Sequence, residues 1–254
     1  MKGWQKIFLI AWEEHKIAWR SRRFIGVTLF IALAGLVFLM IYSNIPRTLT
    51  IIMVNYFLGK NLGLGAGNAD VMQAQVDLFF SMSNIVISFV LLFAALLLGH
   101  DSISGGKETR SLRFMLSKVD RRIYLIGKFL SFMLYILIVL VVLYLIMLFY
   151  VFFKIGSFEM MNILLSILFF IIYVGAWLSI FMFVSTISRR SSLFLALLVP
   201  LLFLLLLLSS LGILSPFHYL STSMSSFLIN SLYLLPFVVV PMIFSSLLIE
   251  VIDL

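Results

Sequence analysis

The chain has 254 residues, of which 63 % are hydrophobic and 11 % are charged, and its formal net charge is +8. Soluble domains are roughly 45–50 % apolar and about 25 % charged, so this composition leaves too little polar surface to cover a water-soluble fold and excludes one. The absence of cysteine excludes disulfides, thiolate catalysis and cysteine metal sites.

Residues 1–23 are predicted to form an amphipathic helix ahead of the first apolar segment. Apolar and aromatic side chains recur there at three- and four-residue spacing, namely at Trp4, Ile7, Phe8, Ala11, Trp12, His15, Ala18 and Trp19. Charged and amide side chains occupy the opposite side. Tryptophans on one face and bases on the other are typical of a helix in the membrane interface, and the alternative is a solvated helix packed on another protein.

Six apolar segments are long enough to cross a bilayer, whose hydrocarbon core of about 30 Å needs roughly 20 helical residues. They are Phe24–Tyr42, Leu78–Leu98, Ile123–Phe153, Ile163–Ile187, Leu193–Leu214 and Leu232–Ile249. No small-residue cleavage site follows the first segment, so we expect it to be a retained span. The third segment is longer than the hydrocarbon requires, and Gly127 and Lys128 indicate that its first turns lie below the membrane. The predicted fold is an all-α, polytopic membrane protein with a single domain over residues 1–254.

Basic residues fall in alternate gaps between these segments, and this pattern predicts the orientation of the chain. Six stand in the N-terminal arm, seven between the second and third segments, two between the fourth and fifth, and three in the remaining gaps. Because Lys and Arg are retained on the cytoplasmic side, both termini and the 99–122 loop are placed in the cytoplasm. This orientation, with attraction to anionic lipid, explains the net charge, so we expect membrane lipid and no nucleic acid among the partners.

The 99–122 loop has an amphipathic pattern of its own. A Gly105–Gly106 pair opens it, and basic side chains cover much of the helix that is predicted to follow. The apolar face of that helix consists of Leu112, Met115, Leu116 and Val119. Such a helix is a rigid element that a soluble partner can bind, and a basic linker facing lipid is the alternative.

A series of residues from the end of the second segment to the start of the third forms a recognisable sequence motif. The series is Asp101, Ile103, Lys107, Glu108, Leu112, Met115, Leu116, Ser117, Arg122, Gly127 and Lys128. It resembles the signature of the permease subunits of type-2 ATP-binding-cassette exporters, as do the amphipathic arm and the six-span plan. The chain departs from the family's pattern at Gly106, Arg110, Ser111 and Val119, where the family has Glu, Gly, Thr and Pro.

The resemblance implies that transport and ATP hydrolysis are divided between subunits. The chain has no Gly-x-x-x-x-Gly-Lys-Ser/Thr loop, so we expect it not to be an enzyme and to hold no cofactor, with ATP and Mg²⁺ on a separate ATPase subunit. The family assembles two permeases, either two copies or a copy and a paralogue, with two ATPases in the cell membrane. In similar proteins the loop after the second span is a coupling helix seated in a groove of the ATPase. The residues implied for that contact are Glu108, Arg110, Arg113, Phe114, Leu116 and Arg121.

The spans indicate the class of cargo only through their apolar character. Ionisable residues are nearly absent from the span centres, so neither a proton relay nor an ion site is predicted. Weakly polar faces on the second and fourth segments offer residues that could line a pathway, namely Ser81, Asn84, Ser88, Tyr173 and Trp177. Packing between helices explains the same pattern. The fifth segment is almost pure hydrocarbon, which favours an amphipathic or lipid-like cargo.

Two other classes of function stay open at the level of sequence. A non-transporting membrane scaffold or regulator would use the same loop to hold a soluble partner. An intramembrane peptidase would need an acid pair followed by an arginine and histidines within later spans. Glu13 and Glu14 are followed by Ala18 at the position of that arginine, and His100 and His218 lie at span ends, so the residues do not favour this class.

Overall fold

The regular elements of the structure, a computed structural model, are α-helices. It describes residues 3–20, 22–44, 51–53, 55, 68–100, 102–103, 119–154, 160–188, 191–210 and 227–251. The long helices within these residues are α1 (Gly3–Arg20), α2 (Arg22–Ser43), α3 (Asn68–His100), α4 (Arg121–Lys154), α5 (Met160–Ile187), α6 (Ser191–Ser210) and α7 (Phe227–Val251). The described residues contain no β-strand, and the prediction of an all-α chain is confirmed.

Five of these helices are long and apolar enough to cross a membrane. Their apolar stretches are Ile25–Ser43, Leu78–His100, Arg121–Phe153, Ile163–Ile187 and Asn230–Ile249. Each lies within a few residues of a predicted segment, and together they support a multi-pass membrane protein. The remaining predicted segment, Leu193–Leu214, begins in α6, whose described apolar part is the shorter stretch Leu193–Leu205. Residues 211–214 lie outside the described residues.

Helix α5 is central among the described helices. It packs most extensively against α7 and also contacts α3, α4 and α6. All residues from Tyr173 to Met182 are buried. Lipid tails are as apolar as leucine side chains, so close packing rather than the hydrophobic effect favours association of such helices in a bilayer. Rings at four-residue spacing, Tyr173, Trp177 and Phe181, pack against each other along α5 with centroids 6.3 and 5.6 Å apart.

Helices α2 and α7 form the periphery of the described bundle. Only 17 % of the most apolar window of each is buried, against 72 % for α5. One end of α2 is held to α3 and α4 by aromatic contacts, in which Phe79 lies 4.9 Å from Tyr42 and 5.4 Å from Tyr150 between ring centroids. At the other end the Thr28 and Tyr135 hydroxyls are hydrogen bonded. The exposed sides of both helices are therefore available to lipid or to another chain.

Helix α1 packs on the first turns of α4. Some of its apolar side chains are buried in this contact, and others are exposed. Ala11 is buried and Ile7 and Ile10 are partly buried, whereas Trp4 is 80 % exposed and Phe8 68 %. Trp4 and Phe8 continue at four-residue spacing to Trp12, which is also exposed, so these three side chains form a stripe. The single apolar face expected from the sequence is thus split into a packed strip and an exposed aromatic strip.

Candidate functional site

The candidate site is the foot of the bundle, which we define as residues 98–103, 119–128 and 181–188 together with Ile249. The 99–122 loop leaves α3 and enters α4 here. Of the residues predicted for the ATPase contact, Glu108, Arg110, Arg113, Phe114 and Leu116 lie outside the described residues. Arg121 is described, as are the two points at which the loop joins the bundle, Ile103 and Val119.

The loop leaves α3 in a turn that is bonded to α5. The Ser102 amide and hydroxyl both donate to the Gly99 carbonyl, at 3.2 and 2.9 Å. The Ile103 amide then donates to the Ser185 hydroxyl at 3.1 Å, and that hydroxyl donates to the His100 carbonyl at 3.4 Å. Ile103 is fully buried, so Ser185 satisfies a backbone donor that water does not reach. One α5 hydroxyl thereby fixes the start of the loop.

The last turn of α3 also makes close apolar contacts with α5 and α6. A Cβ atom added at Gly99 would lie 2.6 Å from the Cβ of Phe181, so only glycine allows the helices to approach this closely. The His100 ring meets the Phe194 ring edge-on, with centroids 5.0 Å apart. The exit of the loop is therefore held to the end of α5 and the start of α6 together.

The loop re-enters the bundle through a capped helix start. The Asp120 carboxylate accepts the Arg122 amide at 2.9 Å, and the Asp120 carbonyl accepts the Tyr124 amide at 3.0 Å. This is the arrangement of a helix N-cap, and a carboxylate there also interacts favourably with the positive end of the helix dipole. Val119, which the sequence places on the apolar face of the loop helix, is partly buried against the core. The chain has rejoined the bundle by that residue.

Arg121 links the start of α4 to the end of α7. Its guanidinium donates to the Ile249 carbonyl at 2.9 Å. The last carbonyls of a helix have no hydrogen-bond donor within the helix, and they carry the negative end of its dipole. An arginine there supplies both a donor and a positive charge. Arg121 was predicted to contact an ATPase; the structure places its guanidinium on α7.

Helix α1 meets α4 at Gly127. A Cβ added at Gly127 would lie 2.8 Å from the Ile10 Cγ2 atom and 3.4 Å from the Ile7 carbonyl oxygen. One residue further along α4, the Lys128 ammonium donates to the Tyr124 hydroxyl at 3.0 Å. Gly127 and Lys128, which end the series of positions singled out in the sequence, therefore have different local roles. Gly127 allows close packing of α1 on α4, and Lys128 directs a basic group towards the start of α4.

The five residues proposed for a pathway are buried among the described helices. Ser81, Asn84, Ser88, Tyr173 and Trp177 are each at most 4 % exposed. The Tyr144 hydroxyl donates to the Asn84 side-chain oxygen at 3.0 Å, and the Ser88 hydroxyl donates to the Asn84 carbonyl at 2.6 Å. The Asn84 side-chain nitrogen has no hydrogen-bond partner among the described residues. The bond from Tyr144 joins α4 to α3, as expected of polar residues that pack helices together, whereas the bond from Ser88 lies within α3.

Sequence reasoning missed the residues that fix the loop to the bundle. Gly99, Phe181, Ser185 and Phe194 carry these contacts, and none of them was singled out. The run from Ser185 to Ser188 at the end of a span was a signal, because hydroxyls at a helix end often bond to neighbouring backbone. Within the described ranges, no group of three or more His, Asp or Glu side chains is placed to hold a metal ion.

A family model described as "ABC-2 family transporter protein" matches residues 8–248, which is nearly the whole chain. No curated protein matches the chain.

Proposed function

The chain belongs to the ABC-2 transporter family, and from this premise we propose that it is the permease of an exporter that moves an amphipathic or lipid-like cargo. As a member of the family, it is a membrane permease of an ABC transporter, and the family implies an ABC ATPase subunit as its partner. ATP and Mg²⁺ would bind to that partner, and this chain would take no catalytic part in hydrolysis.

The observation that carries the proposal is the anchoring of both ends of the 99–122 loop. The exit at Ile103 is bonded to Ser185 of α5, and the re-entry at Arg121 is bonded to Ile249 of α7. A partner that moved the loop would therefore displace α3, α5 and α7 together. ATP binding shifts the conformation of a partner only if it favours one state over another, and a loop with fixed ends can transmit such a preference.

We further propose the topology that the basic residues favour. In it the predicted segment Leu193–Leu214 is a sixth span, and both termini and the 99–122 loop face the cytoplasm. Helix α1 lies in the membrane interface, because its exposed aromatic stripe of Trp4, Phe8 and Trp12 needs an apolar environment. The assembly contains a second permease, a copy or a paralogue, in the cell membrane.

The apolar character of the described spans supports the proposed class of cargo. The hydroxyls of Ser81 and Ser88 and the amide of Asn84 are buried, and no charged side chain stands in the middle of α3 or α5. A polar or ionic cargo would need such groups along its route. For Ser81, Asn84, Ser88, Tyr173 and Trp177, burial supports a packing role more than a pathway role.

The test of the function is a coupling experiment on the intact complex. The full-length chain should be purified from native membranes, its associated ATPase identified by mass spectrometry, and ATP hydrolysis measured with lipid-like candidate cargoes. Leu116→Asp places a charge on the proposed apolar contact and should remove cargo-stimulated hydrolysis while the permease stays folded. Ser117→Asp adds the same charge at the neighbouring position, off that face, and should leave stimulation intact.

The possible outcomes separate transport from its alternatives. Cargo-stimulated hydrolysis that survives Leu116→Asp would contradict the proposed role of Leu116 in coupling the permease to the ATPase. A preparation that never contains a nucleotide-hydrolysing subunit would instead favour a membrane scaffold or regulator.

A further inference from the structure

Helix α7 carries two prolines in its interior, Pro236 and Pro241. A proline has no backbone N–H, so it cannot donate to the carbonyl four residues earlier, and its ring crowds that carbonyl. Of the successive helix bonds that residues 236–241 would donate, the first and the last are therefore missing. The Ser245 hydroxyl also donates to the Pro241 carbonyl at 2.7 Å, and a bond of this kind often bends a helix. A membrane span tolerates such breaks, but it bends more easily where they lie.

The packing of α7 is close on both sides of the prolines and looser between them. Before the prolines Ser231 and Leu234 are buried, and after them Ser245 and Ile249 are buried. From 235 to 244, by contrast, every side chain is partly or largely exposed. A stretch with few buried contacts can shift at little cost, so the middle of α7 is the part that deforms most easily.

The contact between the middle of α7 and α5 also leaves room for movement. A Cβ atom added at Gly175 would lie 3.6 Å from the Val238 Cγ2 atom and 3.4 Å from the Met133 Cε atom, which are ordinary contact distances. At the foot, a Cβ added at Gly99 or Gly127 would lie only 2.6 or 2.8 Å from its nearest neighbour. The helices therefore pack more tightly at the foot than beside the prolines.

The last turns of α7 are bound to the foot. The Arg121 guanidinium, at the point where the loop re-enters the bundle, donates to the Ile249 carbonyl at 2.9 Å. Phe244 also meets Phe183 near the end of α5, with ring centroids 6.3 Å apart. A displacement of the loop would therefore reach residues 245–249 first, and α7 would bend at the prolines that precede them.

The helices that carry the loop have no break of this kind. The sequences of α3, α4 and α5 contain no proline. Helix α5 is in addition buried at every residue from 173 to 182, which is the stretch that lies beside the middle of α7. Since α5 has an unbroken helix and close neighbours on all sides there, bending is confined to α7.

We propose that residues 235–244 of α7 form a hinge, at which the end of the helix moves with the 99–122 loop while the part up to Leu234 keeps its place in the bundle. The inference rests on the proposed function, because it takes the loop as the element that the ATPase moves. The hinge confines the displacement of α7 to about its last two turns. The foot can then move without separating the rest of α7 from α5.

The first test measures the hinge itself by hydrogen exchange and mass spectrometry on the full-length chain. Pro236→Ala with Pro241→Ala restores both missing donors, so exchange of the amides between residues 237 and 246 should slow roughly tenfold. The same pair of changes to glycine should slow it less, because glycine favours a helix less than alanine does. If the double alanine variant does not fold, Pro241→Ala alone restores the donor to the Phe237 carbonyl.

The second test measures movement in the complex purified with its ATPase. Exchange should differ between the nucleotide-free complex and the complex trapped with ATP and vanadate at residues 237–246, and it should be the same in both at residues 227–234. Arg121→Ala removes the bond to Ile249 and should abolish this difference while the ATPase stays bound. An equal difference at residues 227–234 would show that α7 moves as one rigid helix, which would overturn the proposal.

The third test measures coupling in the same complex. The double alanine variant should reduce cargo-stimulated hydrolysis about fivefold, with unstimulated hydrolysis unchanged, because the helix no longer bends easily. The glycine variant should recover most of the stimulation, since glycine keeps the backbone easy to deform. Pro200→Ala is the matched control: it makes the same change in α6, which packs on α3 and α5, and it should leave stimulation intact.

Three results of these variants would overturn the hinge. The first is exchange in α7 that the alanine changes do not slow. The second is slower exchange with wild-type stimulation, because bending would then play no part in coupling. The third is an equal loss of stimulation in Pro200→Ala. A wild-type complex without cargo-stimulated hydrolysis would contradict the proposed function instead, and the ATP-dependent difference in exchange would still decide whether the hinge moves.

Discussion

At the scale of single residues, Gly99 decides how closely α3 and α5 approach. Gly99→Ala would place a Cβ atom 2.6 Å from the Phe181 Cβ, a separation that real side chains do not adopt. We expect the helices to be forced apart at a cost of about 1–3 kcal/mol. The measurement is the thermal unfolding midpoint of the detergent-solubilised chain. Gly26→Ala is the control, since nothing lies within 4 Å of its Cβ, and equal midpoints for the two variants would contradict the packing argument.

Ser185 holds the start of the loop by accepting a hydrogen bond from the Ile103 backbone amide. Ser185→Ala would leave the buried Ile103 amide without its acceptor, at a cost of about 1–3 kcal/mol. We expect cargo-stimulated ATP hydrolysis to fall while the ATPase remains bound to the permease, because the fixed end of the loop is released.

A matched hydroxyl on the same helix controls for the loss of a buried serine. Ser179 is also buried in α5, but its hydroxyl bonds to the Gly175 carbonyl of its own helix. Ser179→Ala should leave stimulation intact, and Ser185→Thr, which keeps a hydroxyl, should recover part of it. Equal stimulation in the Ser179 and Ser185 alanine variants would show that the bond to Ile103 does not transmit movement.

At the scale of elements, the end of α7 depends on a side chain from α4. Arg121→Ala removes the donor to the Ile249 carbonyl and a positive charge at the negative end of the helix dipole. We expect the last turn of α7 to open more often, by about 1 kcal/mol, which corresponds to roughly fivefold faster amide exchange there.

Hydrogen exchange followed by mass spectrometry checks this expectation. Arg122→Ala serves as the control, because the exposed Arg122 side chain is next in sequence while its amide remains bonded to Asp120. Faster exchange in both variants would indicate general destabilisation of the start of α4 instead of a specific contact with α7.

At the scale of the whole molecule, we expect the chain to cross the bilayer six times, and cysteine labelling tests this number. The chain has no cysteine, so single cysteines report position without background. We expect Gly63→Cys and Ser221→Cys to react with an impermeant thiol reagent from outside intact cells, and Arg113→Cys to react only after permeabilisation.

Ser221 is the informative position for the count. It follows the predicted segment Leu193–Leu214, so labelling from outside requires this segment to span. Protection of Ser221→Cys with exposure of Gly63→Cys would leave α6 on the cytoplasmic side and reverse the orientation of α7. Labelling of Arg113→Cys from outside would contradict the orientation of the whole chain.

The foot of the bundle shows where inference from sequence stopped. The Gly99-to-Lys128 region was recognised as functional, but the partners of Gly99, Ile103 and Arg121 were not predicted. Their partners are Phe181, Ser185 and Ile249. The two hydrogen bonds join residues that are far apart in the chain, with 82 positions between Ile103 and Ser185 and 128 between Arg121 and Ile249. A helix that is apolar all round gives no indication of which face meets which neighbour.

The sequence by itself determined the class of protein, the positions of its helices and its family. A bilayer allows few structures, because each buried backbone group must be bonded within a helix, so long apolar runs predict spans almost directly. Only the tertiary structure decided which helix is central and how the ends of the loop are anchored. These features depend on how the helices are rotated and which of them pair. Close packing of side chains decides both, and the apolar pattern of a single helix does not encode them.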